Sequence, residues 1–293
     1  MASDLHCHTK LSDSSMGIDD LLTLAGKMGI KTLAITDRDC QAGTTRAKII
    51  GERRGINVIP GVELSCTDSK RDCGVSIIGY LCDSPDRLEG LCARNMLASK
   101  KASQYMSLKV AQKFPITSEL IGKSASGSTA VFIEHIMHAL MECGFTDSIH
   151  GELYNTLFSP ESDENIIVKP KYPEPAEVLR AIHEAGGIAV LAHPGTTDSF
   201  ELLDELIELG LDGVEVWFPG HTEEQTARLK KIASDNNLLS VGGTGFKGMY
   251  SEKAVCIGET GTPDADVKAL LSYKTKMKKK LAQTEKSAEK AAE

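Results

Sequence analysis

The sequence has no long apolar run, no paired-cysteine motif and no excess of positive charge. No window approaches the roughly 18 apolar residues that a membrane span needs, so no membrane partner is expected. Met1-Ala2-Ser3-Asp4 is not a basic segment followed by an apolar stretch, so no secretory leader is expected. The eight cysteines, Cys7, Cys40, Cys66, Cys73, Cys82, Cys92, Cys143 and Cys256, form no Cys-x-x-Cys pair. Scattered thiols without a leader argue against a disulfide framework and predict reduced side chains in a cytoplasmic protein. Acidic residues (41) outnumber basic ones (33), giving a net charge of −8. A general nucleic-acid binder needs a basic face, so that class is disfavoured, although a local basic pocket stays open.

What is present is an alternation of short apolar runs with amphipathic segments in a chain of 293 residues, long enough for one large α/β domain. Helical spacing over 21–28 precedes an apolar run over 31–36. A helix over 45–54 precedes strands at 57–62 and 75–81. This alternation predicts parallel strands with crossover helices. It stops between Asp83 and Lys171, where charged helical stretches and a Gly/Ser-rich break at 122–129 predict a mainly helical insertion. Helices at 175–185, 200–209 and 223–234 then alternate with strands at 187–191, 213–217 and 238–241. A last helix is expected over 264–272. The expected organisation is a barrel from 1–82 and 172–274, a helical lid from 83–171, and a charged Lys/Glu/Ala-rich tail from 275–293.

In a β/α barrel, chemistry collects at the C-terminal ends of the strands. The first expected strand ends in Asp4-Leu5-His6-Cys7-His8, the second in Ile35-Thr36-Asp37-Arg38-Asp39, and the third in Pro60-Gly61-Val62-Glu63. The strand after the insertion ends in Leu191-Ala192-His193-Pro194-Gly195. Histidines two apart on a strand share a face, so His6 and His8 can reach one cation while Cys7 points away. Asp37 and Asp39 read either as caps of the following helix or as supports for the site.

These segments resemble the PHP (polymerase and histidinol phosphatase) domain family over nearly the whole chain. Asp4-Leu5-His6-Cys7-His8-Thr9 with Ser12-Asp13, Ala34-Ile35-Thr36-Asp37, Pro60-Gly61-Val62-Glu63, Ile78-Gly79-Tyr80 and Ala192-His193-Pro194-Gly195 are similar to its motifs, in order. Val214-Glu215-Val216-Trp217-Phe218-Pro219-Gly220-His221-Thr222 resembles the nucleotide-phosphatase-like branch, as do His135-Ile136 and Pro170-Lys171-Tyr172 in the insertion. The resemblance implies a distorted (β/α)7 TIM-like barrel of PHP type with an inserted helical lid. It also implies a site for up to three metals.

Carried over position by position, the ligands are incomplete. The first metal keeps His6, His8 and Glu63, but its fourth carboxylate falls in Thr244-Gly245-Phe246-Lys247-Gly248, where Gly245 stands in its place. The second keeps Glu63 and His193, with Ser76 where the family has histidine. The third keeps Asp13 alone, because Arg38 and Lys247 replace its two histidines. Protonated Arg38 and Lys247 cannot ligate a metal and are suited to phosphate oxygens.

The resemblance therefore implies a metal-dependent phosphoesterase for a small nucleotide or sugar phosphate, with one or two divalent ions (Mn, Fe or Zn). The metal set is His6, His8, Glu63 and His193. The catalytic set is Asp13, Arg38 and Lys247, and His135, Lys171 and His221 join Arg38 and Lys247 in substrate binding. The alternative is a catalytically degenerate PHP-fold protein that binds a phosphorylated ligand. Either His135 or His221 also reads as an ordinary surface histidine, and Trp217 as core.

Overall fold

The computed structural model describes residues 2–277, so most of the expected tail lies outside the described residues. The chain opens with β1 (Ser3–Cys7), α1 (Ile18–Lys27), β2 (Thr32–Ile35), α2 (Thr44–Arg54), β3 (Asn57–Asp68) and β4 (Cys73–Tyr80). A 3-10 turn at Pro85–Leu88 leads into α3 (Glu89–Lys113), α4 (Ser118–Ser124), α5 (Ile133–Glu142) and α6 (Glu152–Phe158). Then come α7 (Pro175–Glu184), β5 (Ile188–Leu191), α8 (Phe200–Glu208), β6 (Gly213–Trp217), α9 (Glu223–Asp235) and β7 (Leu239–Gly242). Residues 264–277 are helical.

Among the described residues seven strands form one sheet in sequence order. It closes through a parallel bridge between Cys7 and Phe246, with His8 N–H donating to the Phe246 carbonyl at 2.9 Å. Asp4 strengthens the seam. Its carboxylate accepts from Thr244 N at 3.0 Å, Thr244 Oγ1 at 2.6 Å and Gly258 N at 2.9 Å. Leu5, Ala34, Ile59, Ile78, Val190 and Val241, from six of the seven strands, meet in one buried cluster with Val267 and Leu270 of the last helix. Fully burying each leucine, isoleucine or valine among them contributes about 1.5–3 kcal/mol. Cys7 packs in a different cluster with Leu21, Leu22 and Leu33, on the side away from the two histidines.

The expectation of parallel strands throughout is corrected at β4, which runs antiparallel to both β3 and β5. The reason is the length of the connection. Four residues, Ser69 to Asp72, join β3 to β4, whereas a parallel crossover needs a dozen or more. The expected strand 57–62 also continues to Asp68, because its second half pairs with β4 after its first half has paired with β2. Glu63 therefore lies inside a strand, not at its end. The reversal brings the early residues of β4, around Ser76, to the functional end of the barrel.

Helices α3 to α6 have a core of their own. Met106, Val110, Ile121, Ile136, Leu140, Leu157 and Phe158 pack together with Tyr250 from the loop after β7. Tyr250 fastens this unit to the barrel. Its hydroxyl lies 2.7 Å from His138 Nδ1, and its carbonyl 2.9 Å from His150 Nε2.

Candidate active site

The polar groups gather at the barrel mouth beneath the helical insertion. His6, His8 and Glu63 are all buried, with one ligand atom from each lying within 4.8 Å of the others. Both imidazoles aim Nε2 at the same oxygen, Glu63 Oε2, from 3.5 Å (His6) and 3.1 Å (His8). Neither contact is aligned as a hydrogen bond, which leaves that buried oxygen without a directed donor. His193 Nε2 lies 3.7 Å from the other oxygen, Glu63 Oε1.

Glu215 holds two of these histidines in place. It sits within the apolar strand β6, accepts from His6 Nδ1 at 3.0 Å, and accepts from the His193 backbone N–H at 2.8 Å. The second bond supports His193 in a left-handed conformation (φ 30°) that a non-glycine residue adopts only under constraint. Burial would lower the pKa of His6, but Glu215 and Glu63 outweigh it and raise it to about 10. Metal ligation thus requires release of the Nε2 proton, while Glu215 retains the one on Nδ1.

Asp37 fixes the loop that carries His8 and Asp13. Its oxygens accept from Thr9 N (2.7 Å), Thr9 Oγ1 (2.7 Å) and Ser12 Oγ (2.6 Å). Asp39, also left-handed (φ 49°), accepts from Ser65 N, Ser65 Oγ and Asn95 Nδ2. Both are supports, since the N-cap of α2 is Gly43.

Charges of alternating sign run outward from Glu63. Arg38 donates from Nη1 to Glu63 Oε1 at 3.1 Å and from Nε to Asp13 Oδ2 at 3.1 Å. Lys247 Nζ lies 2.8 Å from the same Asp13 oxygen and 3.7 Å from Glu134 Oε1 on α5. The other Asp13 oxygen is 2.8 Å from His8 Nδ1, off the hydrogen-bond axis. Burial pushes Asp13 upward, but Lys247, His8 and Arg38 hold it well below the usual carboxylate range. For Glu63 the same burial is overcome first by Arg38, then by His193, His6 and His8. Ser76 Oγ stands 3.5 Å from Arg38 Nη1, so the guanidinium also reaches β4.

A cavity of about 720 Å³ opens over this ladder. Asp13, Arg38, Ser76, His193 and Lys247 line it from the barrel, and Met106, Phe132, Glu134, Tyr154, Lys171 and Tyr172 from the insertion and its return. Lys171 is exposed on this wall. His135 is buried just behind it, with Nδ1 accepting from Phe132 N at 3.0 Å and its ring edge-on to Tyr250. Both nitrogens of His221 are engaged inside the protein, Nε2 with Gly195 N (3.2 Å) and Nδ1 with the Val216 carbonyl (3.1 Å). Of the groups expected to bind substrate, Arg38, Lys247 and Lys171 thus face the cavity, while His135 and His221 serve internal bonds. Gly245 is left-handed (φ 59°), and a Cβ there would meet the Phe218 ring at 2.9 and 3.1 Å. A side chain at position 245 would require the Phe218 ring to shift.

The PHP domain family matches residues 4–184 of this chain. This is a PHP-domain protein. The PHP-domain protein is 33% identical over 255 residues to a phosphoribosyl 1,2-cyclic phosphate 1,2-diphosphodiesterase of Eggerthella lenta, a match covering 85% of this chain and 95% of that one. It is 29% identical over 252 residues to the 5'-3' exoribonuclease Rnm of Escherichia coli, covering 83% and 84% of the two chains. Among solved structures, a protein of Bifidobacterium adolescentis assigned as a metal-dependent phosphoesterase superposes with a TM-score of 0.84 at 30% identity, covering 92% of this chain and 95% of that chain. The barrel fold and the enzyme class expected from the sequence, a metal-dependent phosphoesterase, follow from this membership. Exoribonucleases among the relatives of this PHP-domain protein also keep nucleic acid open as a ligand class, despite the acidic net charge. Among the described residues no helix is long and apolar enough to cross a membrane.

Proposed function

We propose that this protein hydrolyses a small phosphate ester with one divalent ion on His6, His8 and Glu63, and that Arg38 and Lys247 hold the phosphate oxygens. One observation carries the reading: two imidazoles converge on a buried carboxylate oxygen without a directed donor, beside two cations that line the same cavity. Two imidazoles and a carboxylate suit Zn, Mn or Fe. Such an ion supplies the Lewis acidity on which phosphoester hydrolysis draws. Glu215 keeps His6 turned with Nδ1 towards itself and Nε2 towards Glu63. Asp13 holds the guanidinium of Arg38 and the ammonium of Lys247 side by side; with Nε and Nη1 engaged by Asp13 and Glu63, Arg38 offers phosphate oxygens its Nη2 and Lys247 a point charge. Helices α3 to α6 cover the mouth and shield the bond being cleaved from bulk water. A cavity of about 720 Å³ matches a small molecule.

A second reading rests on one contact. Arg38 is bonded to Glu63 Oε1, the oxygen nearest His193, and so stands where a second ion would share that carboxylate. This favours a scaffold that binds a phosphorylated ligand without turning it over. Elemental analysis of protein purified without chelators, combined with hydrolysis of bis(p-nitrophenyl) phosphate, separates the two. The hydrolase reading expects about one ion per chain and turnover that His8→Ala abolishes. Metal-free, inactive protein that still binds phosphate would establish the binding reading.

A further inference from the structure

The outer end of the charge ladder is a carboxylate. Glu134 belongs to the first turn of α5, lines the cavity, and has a side chain only 16% exposed. Its Oε1 is 3.7 Å from Lys247 Nζ, the same ammonium that reaches Asp13 at 2.8 Å. An anion approaching Lys247 from the cavity must therefore come close to Glu134. Near the ladder, the two cations Arg38 and Lys247 already face three carboxylates, Glu63, Asp13 and Glu134. These carboxylates offset Arg38 and Lys247, so a second negative charge on a ligand is met by the proposed ion and by Lys171 on the cavity wall rather than by the ladder itself. A placement at the start of a helix also suits a carboxylate, but that role needs neither the cavity nor Lys247.

We infer that Glu134 is a specificity-determining residue that turns the site against doubly charged phosphomonoesters and towards singly charged phosphodiesters. The inference rests on Lys247 acting as a phosphate group's partner, as proposed above. The physical cause is like-charge repulsion in a partly buried site, where juxtaposed charges of one sign discriminate more strongly than in water. A diester presents one negative charge and two esterified oxygens, and an esterified oxygen can lie near Glu134 without a charge penalty. A monoester at neutral pH carries close to two charges.

The test measures binding, so it does not depend on turnover. Inorganic phosphate, above its second ionisation, and dimethyl phosphate are titrated calorimetrically into the full-length, metal-loaded protein. The wild type is compared with Glu134→Gln, Lys247→Ala and the double variant. Glu134→Gln keeps the shape of the side chain, and thermal melts check that each variant is folded. The expected result is that Glu134→Gln tightens phosphate binding on the order of tenfold, changes dimethyl phosphate much less, and loses its effect when Lys247 is absent. An equal change for both probes, or no change for either, overturns the inference while leaving the proposed function intact, provided Lys247→Ala still weakens phosphate binding. If Lys247→Ala alters neither probe, the assignment of Lys247 fails and the inference fails with it.

Discussion

Arg38 shows how much one side chain can change a site. Its guanidinium is the shared partner of two buried carboxylates, Asp13 and Glu63. Arg38→Met fills similar volume and leaves both acids short of a cation. The expected loss is about 3–5 kcal/mol in metal-free protein, nearer the lower figure because Lys247 still serves Asp13. Urea unfolding with and without a divalent ion measures it, and the ion should restore part of the loss. Unchanged stability would mean that the pairing contributes little. Glu215 acts at one remove, through His6 and His193. Glu215→Gln should weaken metal affinity about 10–100-fold, read in a competition titration against a chromophoric chelator. That His6 and His8 share a face was legible from their spacing, and that they meet Glu63 from its place on another strand together with the family resemblance. Glu215 was not, because a lone acid in Val214-Glu215-Val216 gives no sign of which face it occupies. Glu134 was equally hidden, since a glutamate in the first turn of a helix is ordinary. The sequence also could not show that Arg38 and Lys247 would meet the same oxygen of Asp13.

Most elements were legible because the run of apolar residues in each strand, and their spacing in each helix, follow from which faces are buried. The β3–β4 hairpin was misread for a physical reason. A strand buried on both faces reads as a continuous apolar run, which says nothing of its direction or of where it stops pairing. Only the four-residue connection reveals the reversal. Packing of helices on strands makes a specific demand at α2. A Cβ on Gly51 would collide with the Val58 side chain and meet the Ile56 carbonyl at 2.8 Å. Gly51→Ala should therefore destabilise by about 1–3 kcal/mol, despite the better helix propensity of alanine. Gly122 in α4 has open space around its Cβ position, so Gly122→Ala should stabilise by about 0.4–1 kcal/mol. Thermal melts of the two variants should shift in opposite directions. Near the end of α7, His183 Nε2 lies 2.9 Å from Asp212, a bond that raises the imidazole pKa. A raised folded pKa means that this contact stabilises fully below the unfolded value of about 6.5 and fades as pH rises through the folded one. For a pair this exposed the effect is about 0.2–1 kcal/mol. The gap in melting temperature between wild type and His183→Gln should narrow from about pH 5.5 to pH 8.5. A gap that widens with pH would reverse the assignment.

At the scale of the molecule, the break in alternation after Asp83 coincides with helices α3 to α6, and the cavity between them and the barrel is where the charged groups meet. The composition of that cavity was not legible, because its wall combines residues as distant as Asp13, Glu134 and Lys247, brought together by the closure of the barrel and by the docking of the insertion through Tyr250, Asn95, Ser128 and Thr129. The alternation of charge from Glu63 through Arg38, Asp13 and Lys247 to Glu134 also bears on how the protein matures. A cluster of buried acids ordinarily waits for a cation from outside before the chain around it can close. Here the polypeptide brings two cations with it, so the barrel can close first and receive its ion afterwards. Refolding from urea should proceed to the same yield in the presence of a chelator, with ion uptake as a separate, later step. Arg38→Met should make the refolding yield depend on added metal. The two built-in cations would then make the ion a late arrival rather than a participant in folding.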